Sequence, residues 1–296
     1  INEIRPSCIV ADHSPTAIFA NKFLNFPLII SGNGFTAPPA ENPFRLFQYW
    51  RFNPNEDSIR FEAQVAEILN AAASRISSDV PVFEHPSELF NGDQRWLMTF
   101  REFDSYGPRP GCEDYVGTFA QRDFGEDFVW PSARGPRVFA YLSKTRGLEY
   151  LAEWARLNEV SLCLYGKEVP RNLLDRFDAE RTYFAPRPVR LANVFDAADL
   201  AITNGSANTV ANFALAGIPQ FALPQSVENL MESRRLEILG CGLMANLGDR
   251  EKFMGGLNAL IANGDYRRSA RKFKRKYEDE SYATATERMY NRLMEF

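Results

Sequence analysis

The most constraining stretch of the sequence runs from Arg137 to Leu239, where short apolar segments alternate with helical ones. Arg137–Leu142, Val160–Tyr165, Thr182–Phe184, Ala201–Thr203 and Gln220–Leu223 read as strands, rich in aromatic and aliphatic residues. Gly147–Leu157, Arg171–Phe177, Asn208–Ala216 and Leu230–Leu239 read as helices, with apolar residues at helical spacing. A strand followed by a helix cannot turn back as a hairpin. Repeated, the pattern gives a parallel sheet covered by helices on both faces.

The first part of the chain is less regular. Ser14–Phe26 predicts a helix, with Ala17, Ile18, Ala20, Phe23 and Leu24 as its apolar positions; Pro27 ends it and Leu28–Ile30 is the next strand. Asn33-Gly34-Phe35 and Pro38-Pro39 mark a loop. Ser58–Ser78 predicts a long helix with Phe61, Val65, Ile68, Leu69 and Ala72 on one side. Trp96–Phe100 and Tyr115–Val116 read as strands, and the polar run Gln121–Gly135 suits a linker. Ala11–Pro27 and Thr203–Pro219 are both 17 residues long, and each reads as strand end, polar loop, helix and proline. Two similar doubly wound domains would produce such a repeat. The boundaries expected are 1–130 for the first domain with its linker, and 131–296 for the second.

The chain enters an apolar strand, Cys8–Ala11, almost at once, and its first residue is Ile. Only one strand–helix unit is evident before Ser31. A doubly wound domain needs several units of about 30 residues, so the first domain is expected to be truncated at its N-terminus.

Composition excludes several classes. A net charge of −4 supplies no field for nucleic acid. No apolar run reaches the roughly 18 residues of a membrane span. Cys8, Cys112, Cys163 and Cys241 lie far apart, and His13 and His85 are the only histidines, so no metal spacing is present. A reduced, cytoplasmic protein is the expectation.

The chemistry concentrates in Asp199–Pro224, DLAITNGSANTVANFALAGIPQFALP. The strand delivers its end into Asn204-Gly205-Ser206-Ala207-Asn208-Thr209, where small residues let the backbone approach a ligand. The following helix aims unpaired amides and the positive end of its dipole at that loop, which suits a diphosphate. Ser206, Asn208 and Thr209 add side-chain donors. The same residues also read as a cluster that merely caps the helix.

With its continuation QSVENLMESRRLEILGCGL, this segment resembles the donor-site signature of nucleotide-sugar glycosyltransferases of the GT-B fold. The nearest subgroup is the bacterial macrolide, flavonoid and sterol type, related to the UDP-glucuronosyl- and UDP-glucosyltransferases. The matching pieces are Gly205, Asn208-Thr209, Ala216-Gly217-Ile218-Pro219, Pro224, Glu228-Asn229 and Gly240-Cys241-Gly242. ADHSPTAIFANKFLNFPLIISGNGF resembles the late part of that family's acceptor domain.

The resemblance implies two Rossmann-like domains and an inverting sugar transfer, from a UDP- or dTDP-sugar to a hydroxyl on a small-molecule or lipid acceptor, with no essential cofactor or metal. It places Arg187 and Val189 at the nucleotide base, Ser143 and Asn204–Thr209 at the phosphates, Asn212 at the ribose, and Glu228 and Asn229 at the donor sugar. Asn33, Gly34 and Phe35 fall near the acceptor. Asp12 stands where the family holds a catalytic His with a carboxylate; that His falls upstream of Ile1, so this chain is expected to be inactive alone. The final helix, Ala283–Leu293, is expected to return to the first domain.

There are departures. Asn204 replaces the family's His, Ser206 a second Gly, and Asn212 a Glu. Asn204 cannot carry positive charge, and Asn212 is a weaker ribose acceptor than a carboxylate. They motivate a second reading, a non-catalytic nucleotide-sugar-binding protein; a nucleotide-sugar epimerase is a third. Asp12 also reads as a cap for the Ser14 helix, and Glu228 as a first-turn acid. Finally, Arg267-Arg268, Arg271-Lys272 and Lys274-Arg275-Lys276 interleave with Tyr266, Ala270, Phe273 and Tyr277. This reads as an amphipathic helix with a solvated basic face; attraction to an anionic membrane or substrate is the other reading.

Overall fold

The computed structural model describes residues 4–42, 45, 47, 50, 54–77, 82–109, 115–118, 122–142, 147–166, 169–246 and 248–296. They form two compact units, Ile1–Gly117 with Ala283–Phe296, and Thr118–Tyr282.

The first unit is built on three parallel strands, β1 (Ile9–Asp12), β2 (Leu28–Gly32) and β3 (Gln94–Leu97), in the order β1-β2-β3. Between β1 and β2 runs α1 (Pro15–Leu24), and between β2 and β3 runs α2 (Pro54–Ser74). Every residue of β2 is buried, as expected of a central parallel strand. Asn25 ends α1 in the left-handed conformation, its N–H bonded to the Asn21 carbonyl. The strand expected over Trp96–Phe100 stops at Leu97, because Phe100 caps a 3-10 turn at Arg101–Phe103. The helix expected over Ser58–Ser78 is displaced toward the N-terminus, and its apolar side is divided. Phe61 and Ile68 are 51% and 68% exposed, whereas Val65 and Leu69 are partly buried.

The second unit holds a six-stranded parallel sheet. Its strands are β4 (Arg137–Leu142), β5 (Ser161–Gly166), β6 (Thr182–Ala185), β7 (Leu200–Thr203), β8 (Gln220–Ala222) and β9 (Gly242–Met244), in the order β6-β5-β4-β7-β8-β9. The helices are α3 (Leu148–Leu157), α4 (Arg171–Leu174), α5 (Leu191–Ala197), α6 (Ala207–Ala216), α7 (Val227–Ile238), α8 (Arg250–Ala262) and α9 (Gly264–Lys276). Period-two alternation in β4 sorts the core into two layers. Val138, Ala140 and Leu142 pack with Leu151 and Trp154 of α3 and Phe253 and Leu257 of α8. Phe139 packs on the other face with Cys163, Val194 of α5 and Phe213 of α6. Burial there pushes the Cys163 thiol up to about 12, so it stays protonated and inert.

Three elements were not foreseen, β9, α5 and α8. In β9, a Cβ on Gly242 would lie 2.1 Å from the Gln220 carbonyl oxygen, so only glycine lets this short edge strand pair. The start of α8 is set by Asp249, whose carboxylate accepts from the Lys252 amide at 3.0 Å. The last helix, α10 (Tyr282–Leu293), belongs almost wholly to the first unit, where Met289 packs against Ile29, Trp96 and Val116.

Candidate functional site

The strand order places a switch point between β4 and β7: successive strands are added outward on one side through β6, then on the other through β9. Open parallel sheets bind ligands at such a point, outside the carboxyl ends of the strands. The turn after β4 begins at Ser143, which lies outside the described residues. The turn after β7 is Asn204-Gly205-Ser206, leading into α6.

Gly205 has φ +74°, and a Cβ there would sit 2.2 Å from Ser233 Oγ and 3.3 Å from the Asn229 carbonyl oxygen. Ser233 Oγ donates to that same carbonyl at 2.7 Å, so the first two turns of α7 back the loop directly. Asn204 Oδ1 accepts from Gln225 Nε2 at 2.8 Å, and the Gly205 amide donates to Thr203 Oγ1 at 3.2 Å.

The start of α6 bears on the capping reading of this sequence. Ser206 occupies the cap position but makes no side-chain capping bond; its hydroxyl bonds Thr209 Oγ1 at 2.8 Å instead. The first intrahelical bond runs from the Val210 amide to the Ser206 carbonyl, so the first-turn amides ahead of it have no partner within the helix. Asn208 is exposed, and its Oδ1 accepts from Thr118 Oγ1 and from Asn212 Nδ2. Asn212 is buried and also donates to the Asn208 carbonyl at 2.7 Å. The two asparagine side chains thus hold each other at the helix start.

Glu228 and Asn229 are half-buried in the first turn of α7, which Ser226 caps by accepting from the Asn229 amide at 3.1 Å. Arg187 is exposed and pairs with Glu126 at 2.9 Å, while Val189 is buried. Sequence reasoning missed the segment that supports this loop, because it lies in the run read as a linker. Glu126 donates its amide to the Pro188 carbonyl and accepts from the Arg190 amide. Gly125, at φ +110°, would place a Cβ 2.5 Å from the Val189 carbonyl carbon. Gly125, inside a polar run, was the available signal.

The first unit contains a cavity of about 720 Å³, lined chiefly by apolar side chains. Phe35, which stacks on Phe47 at 4.9 Å, lines it together with Phe61, Val65, Leu69 and Phe90. His13 also lines it. Of Asn33, Gly34 and Phe35, only Phe35 reaches the cavity. Asn33 Oδ1 accepts from the Thr36 amide at 3.0 Å and fixes the turn. A Cβ on Gly34 would lie 2.4 Å from Asp104 Oδ1.

Beneath that turn is a buried clamp. Arg109 Nε donates to Asp104 Oδ2 at 2.7 Å, and its Nη2 donates to the Ala37 carbonyl at 2.8 Å and the Gly34 carbonyl at 3.3 Å. The Tyr115 hydroxyl donates to Asp104 Oδ2 at 2.9 Å. Burial, and then the Asp104 charge, raises the Tyr115 hydroxyl pKa; burial does the same for Tyr106.

Asp12 stands exposed at the carboxyl end of β1. It does not cap α1: Ser14 holds the cap position, without a side-chain bond. Its carboxylate makes no hydrogen bond or ion pair among the described residues. No group of side chains suited to a metal ion occurs among those residues, and none of their helices is long and apolar enough to cross a membrane.

No protein-family model matches the chain, and no curated protein matches it in sequence. Solved structures do match it. The calicheamicin glycosyltransferase CalG4 superposes with a TM-score of 0.71 at 14% identity, over 97% of this chain and 73% of that one. The spinosyn rhamnosyltransferase SpnG gives 0.69 at 16%, over 98% and 74%, and has also been solved with thymidine diphosphate and with the spinosyn aglycone. The glycosyltransferase VinC in complex with dTDP gives 0.67 at 14%, over 99% and 73%. The chain therefore has the GT-B fold of these glycosyltransferases.

Proposed function

We propose that the chain belongs to a glycosyltransferase that moves a sugar from a nucleoside diphosphate to a hydroxyl on a largely apolar acceptor. The observation that carries this reading is the uncapped N-terminus of α6 at the switch point of the sheet. The N-terminus of a helix, with the positive end of its dipole and amides outside the intrahelical ladder, favours the two negative charges of a diphosphate. Glu228 and Asn229 are the groups assigned to the donor sugar hydroxyls, and the Arg187–Val189 loop to the base. Among nucleotides dTDP is favoured, since structural neighbours were solved with it. The acceptor is assigned to the aromatic cavity of the first unit.

In this reaction the acceptor oxygen forms a bond to the anomeric carbon as the bond from that carbon to the diphosphate oxygen breaks. The electron pair leaves with the diphosphate, whose growing charge the α6 amides stabilise. The acceptor proton passes to an imidazole base that Asp12 supports, and its exposed, unpartnered carboxylate fits that role. No step requires a metal or cofactor. A cytoplasmic enzyme is the corresponding setting.

Ser206→Asp separates this reading from a purely structural helix cap. An aspartate at the cap position stabilises a helix by about 0.5–2 kcal/mol relative to an uncapped start. It also puts a negative charge where the diphosphate belongs. The expected outcome by calorimetry is a variant as stable as the parent, or more so, that no longer binds dTDP or UDP. Equal nucleotide binding by both proteins would contradict the assignment.

A second reading, a nucleotide-sugar-binding protein without turnover, is favoured by one feature. Asn212 is an amide tied to Asn208, so no carboxylate is offered to the ribose from that position. Binding of a dTDP-sugar by the full-length protein, with neither transfer nor donor hydrolysis, would favour it.

A further inference from the structure

Helix α9 concentrates positive charge in a chain whose net charge is −4. It carries Arg267, Arg268, Arg271, Lys272, Lys274, Arg275 and Lys276 against a single carboxylate, Asp265. Ala270 and Phe273 anchor its opposite face in the core. Arg267/Arg271, Arg268/Lys272, Arg271/Arg275 and Lys272/Lys276 are like-charge neighbours at i,i+4, an arrangement that destabilises an isolated helix. The helix dipole offsets this only for the last turn, Lys274–Lys276.

Arg267 and Arg268 are neutralised. Arg267 Nη2 binds Asp199 Oδ1 at 2.8 Å and the Asp199 carbonyl at 2.9 Å, and Arg268 pairs with Asp265. Arg271, Lys274 and Arg275 have no ion pair among the described residues. All three line a polar cavity of about 410 Å³, whose other wall includes Asp199 and the Gly217-Ile218 turn. The carboxylates on that wall are already engaged: Asp199 by Arg267, and Asp196 by Arg122 at 3.8 Å. A Cβ on Gly217 would lie 3.2 Å from Lys274 Cδ and 3.4 Å from Arg271 Cγ, so their aliphatic stems cross this turn closely. Gly217 and Asp199 precede β8 and β7, which puts the cavity at the amino edge of the strands. The Asn204–Ser206 loop lies at the carboxyl edge, at the other end of α6.

We propose that this cavity is a second anion site, separate from the nucleotide site, and that it takes a phosphate group. Three unneutralised cations, two of them planar guanidinium forks, suit a multiply charged tetrahedral oxyanion. A phospholipid headgroup and a soluble polyphosphate share that chemistry. Lys272 flanks the cavity-lining cations on the same basic helix, where it adds attraction to an anionic surface.

The test uses the whole chain and the triple variant Arg271→Gln, Lys274→Gln, Arg275→Gln. Glutamine keeps helix propensity, so α9 is retained, and circular dichroism verifies it. Two probes are measured: inorganic pyrophosphate by calorimetry with and without dTDP, and vesicles of phosphatidylglycerol in phosphatidylcholine by co-sedimentation, against pure phosphatidylcholine. The expected result is binding to at least one probe that dTDP does not displace and that the variant weakens tenfold or more. Pyrophosphate binding identifies a soluble ligand, and binding to anionic vesicles alone identifies a headgroup. Absence of binding to both probes, or equal binding by variant and parent, overturns the proposal.

Discussion

The Asn204–Ser206 loop of the second unit and the cavity of the first are built on opposite principles. The loop depends on backbone: a strand end, a glycine with positive φ, and amides at a helix start. Its shape is set by the main chain and so depends little on which side chains stand at Ser206 and Asn212. The cavity depends on side chains brought from separated places, Phe35 after β2, Val65 and Leu69 from α2, and Phe90 ahead of β3. A recognition site made of backbone conserves a ligand class. One made of aromatic side chains on loops and a half-exposed helix is free to change its ligand.

That contrast can be broken from either side. The largest effect is expected for Asp12→Asn in a turnover assay with the full-length protein. In the proposed reaction, loss of this carboxylate should lower kcat/KM by on the order of 10²–10⁴-fold. Nucleotide affinity should stay unchanged, since no side-chain hydrogen bond is lost. Unaltered turnover would remove Asp12 from the reaction.

Next is Arg109→Met. It leaves Asp104 as a fully buried carboxylate without its cation and should cost about 3–5 kcal/mol. In a scanning calorimeter, the transition of the first unit should fall while that of the second holds. A common shift of both would show that the clamp is not local to the cavity. A smaller effect is expected for Val65→Asp, which puts a charge on the cavity wall. It should weaken binding of an apolar fluorescent probe about tenfold or more, the desolvation cost of a charge exceeding about 1.4 kcal/mol. Binding of dTDP should not change.

The smallest effect is a pH dependence. Burial raises the hydroxyl pKa values of Tyr106 and Tyr115 above their unfolded value of about 10. Above that pH the unfolded chain releases protons that the folded one keeps, so unfolding becomes more favourable. The stability these groups contribute is complete below about pH 10 and is lost as pH rises through the folded values. Thermal melts between pH 9 and 11 should therefore lower the first transition first; the double variant Tyr106→Phe, Tyr115→Phe should flatten that slope.

The same contrast explains what the sequence made legible. Val138/Ala140/Leu142 and Phe139/Tyr141 make an unbroken apolar run of strand length, as a strand buried on both faces requires, and the structure carries it into two core layers. The Asn204–Thr209 loop was legible because glycine at the strand end and small residues before a helix are local signals. The cavity was not. Phe61, Val65 and Leu69 read simply as one apolar side of a helix, and nothing local distinguishes a wall from a core contact. The support of the Arg187–Val189 loop by Gly125-Glu126 was hidden for the same reason, as a long-range backbone pairing in a polar run. α8 could have been found: Asp249 followed by Phe253, Leu257 and Leu260 is a cap followed by helical spacing.

The most direct test of the central claim is the thermal unfolding of the chain with and without dTDP. If the α6 amides hold the diphosphate, a concentration of about 100 times Kd should stabilise the second unit by about 2.7 kcal/mol. The transition of the first unit should stay in place, and Ser206→Asp should abolish the shift without lowering the starting stability. No shift with dTDP or UDP at millimolar concentration, or an equal shift in the Ser206→Asp variant, would contradict the account.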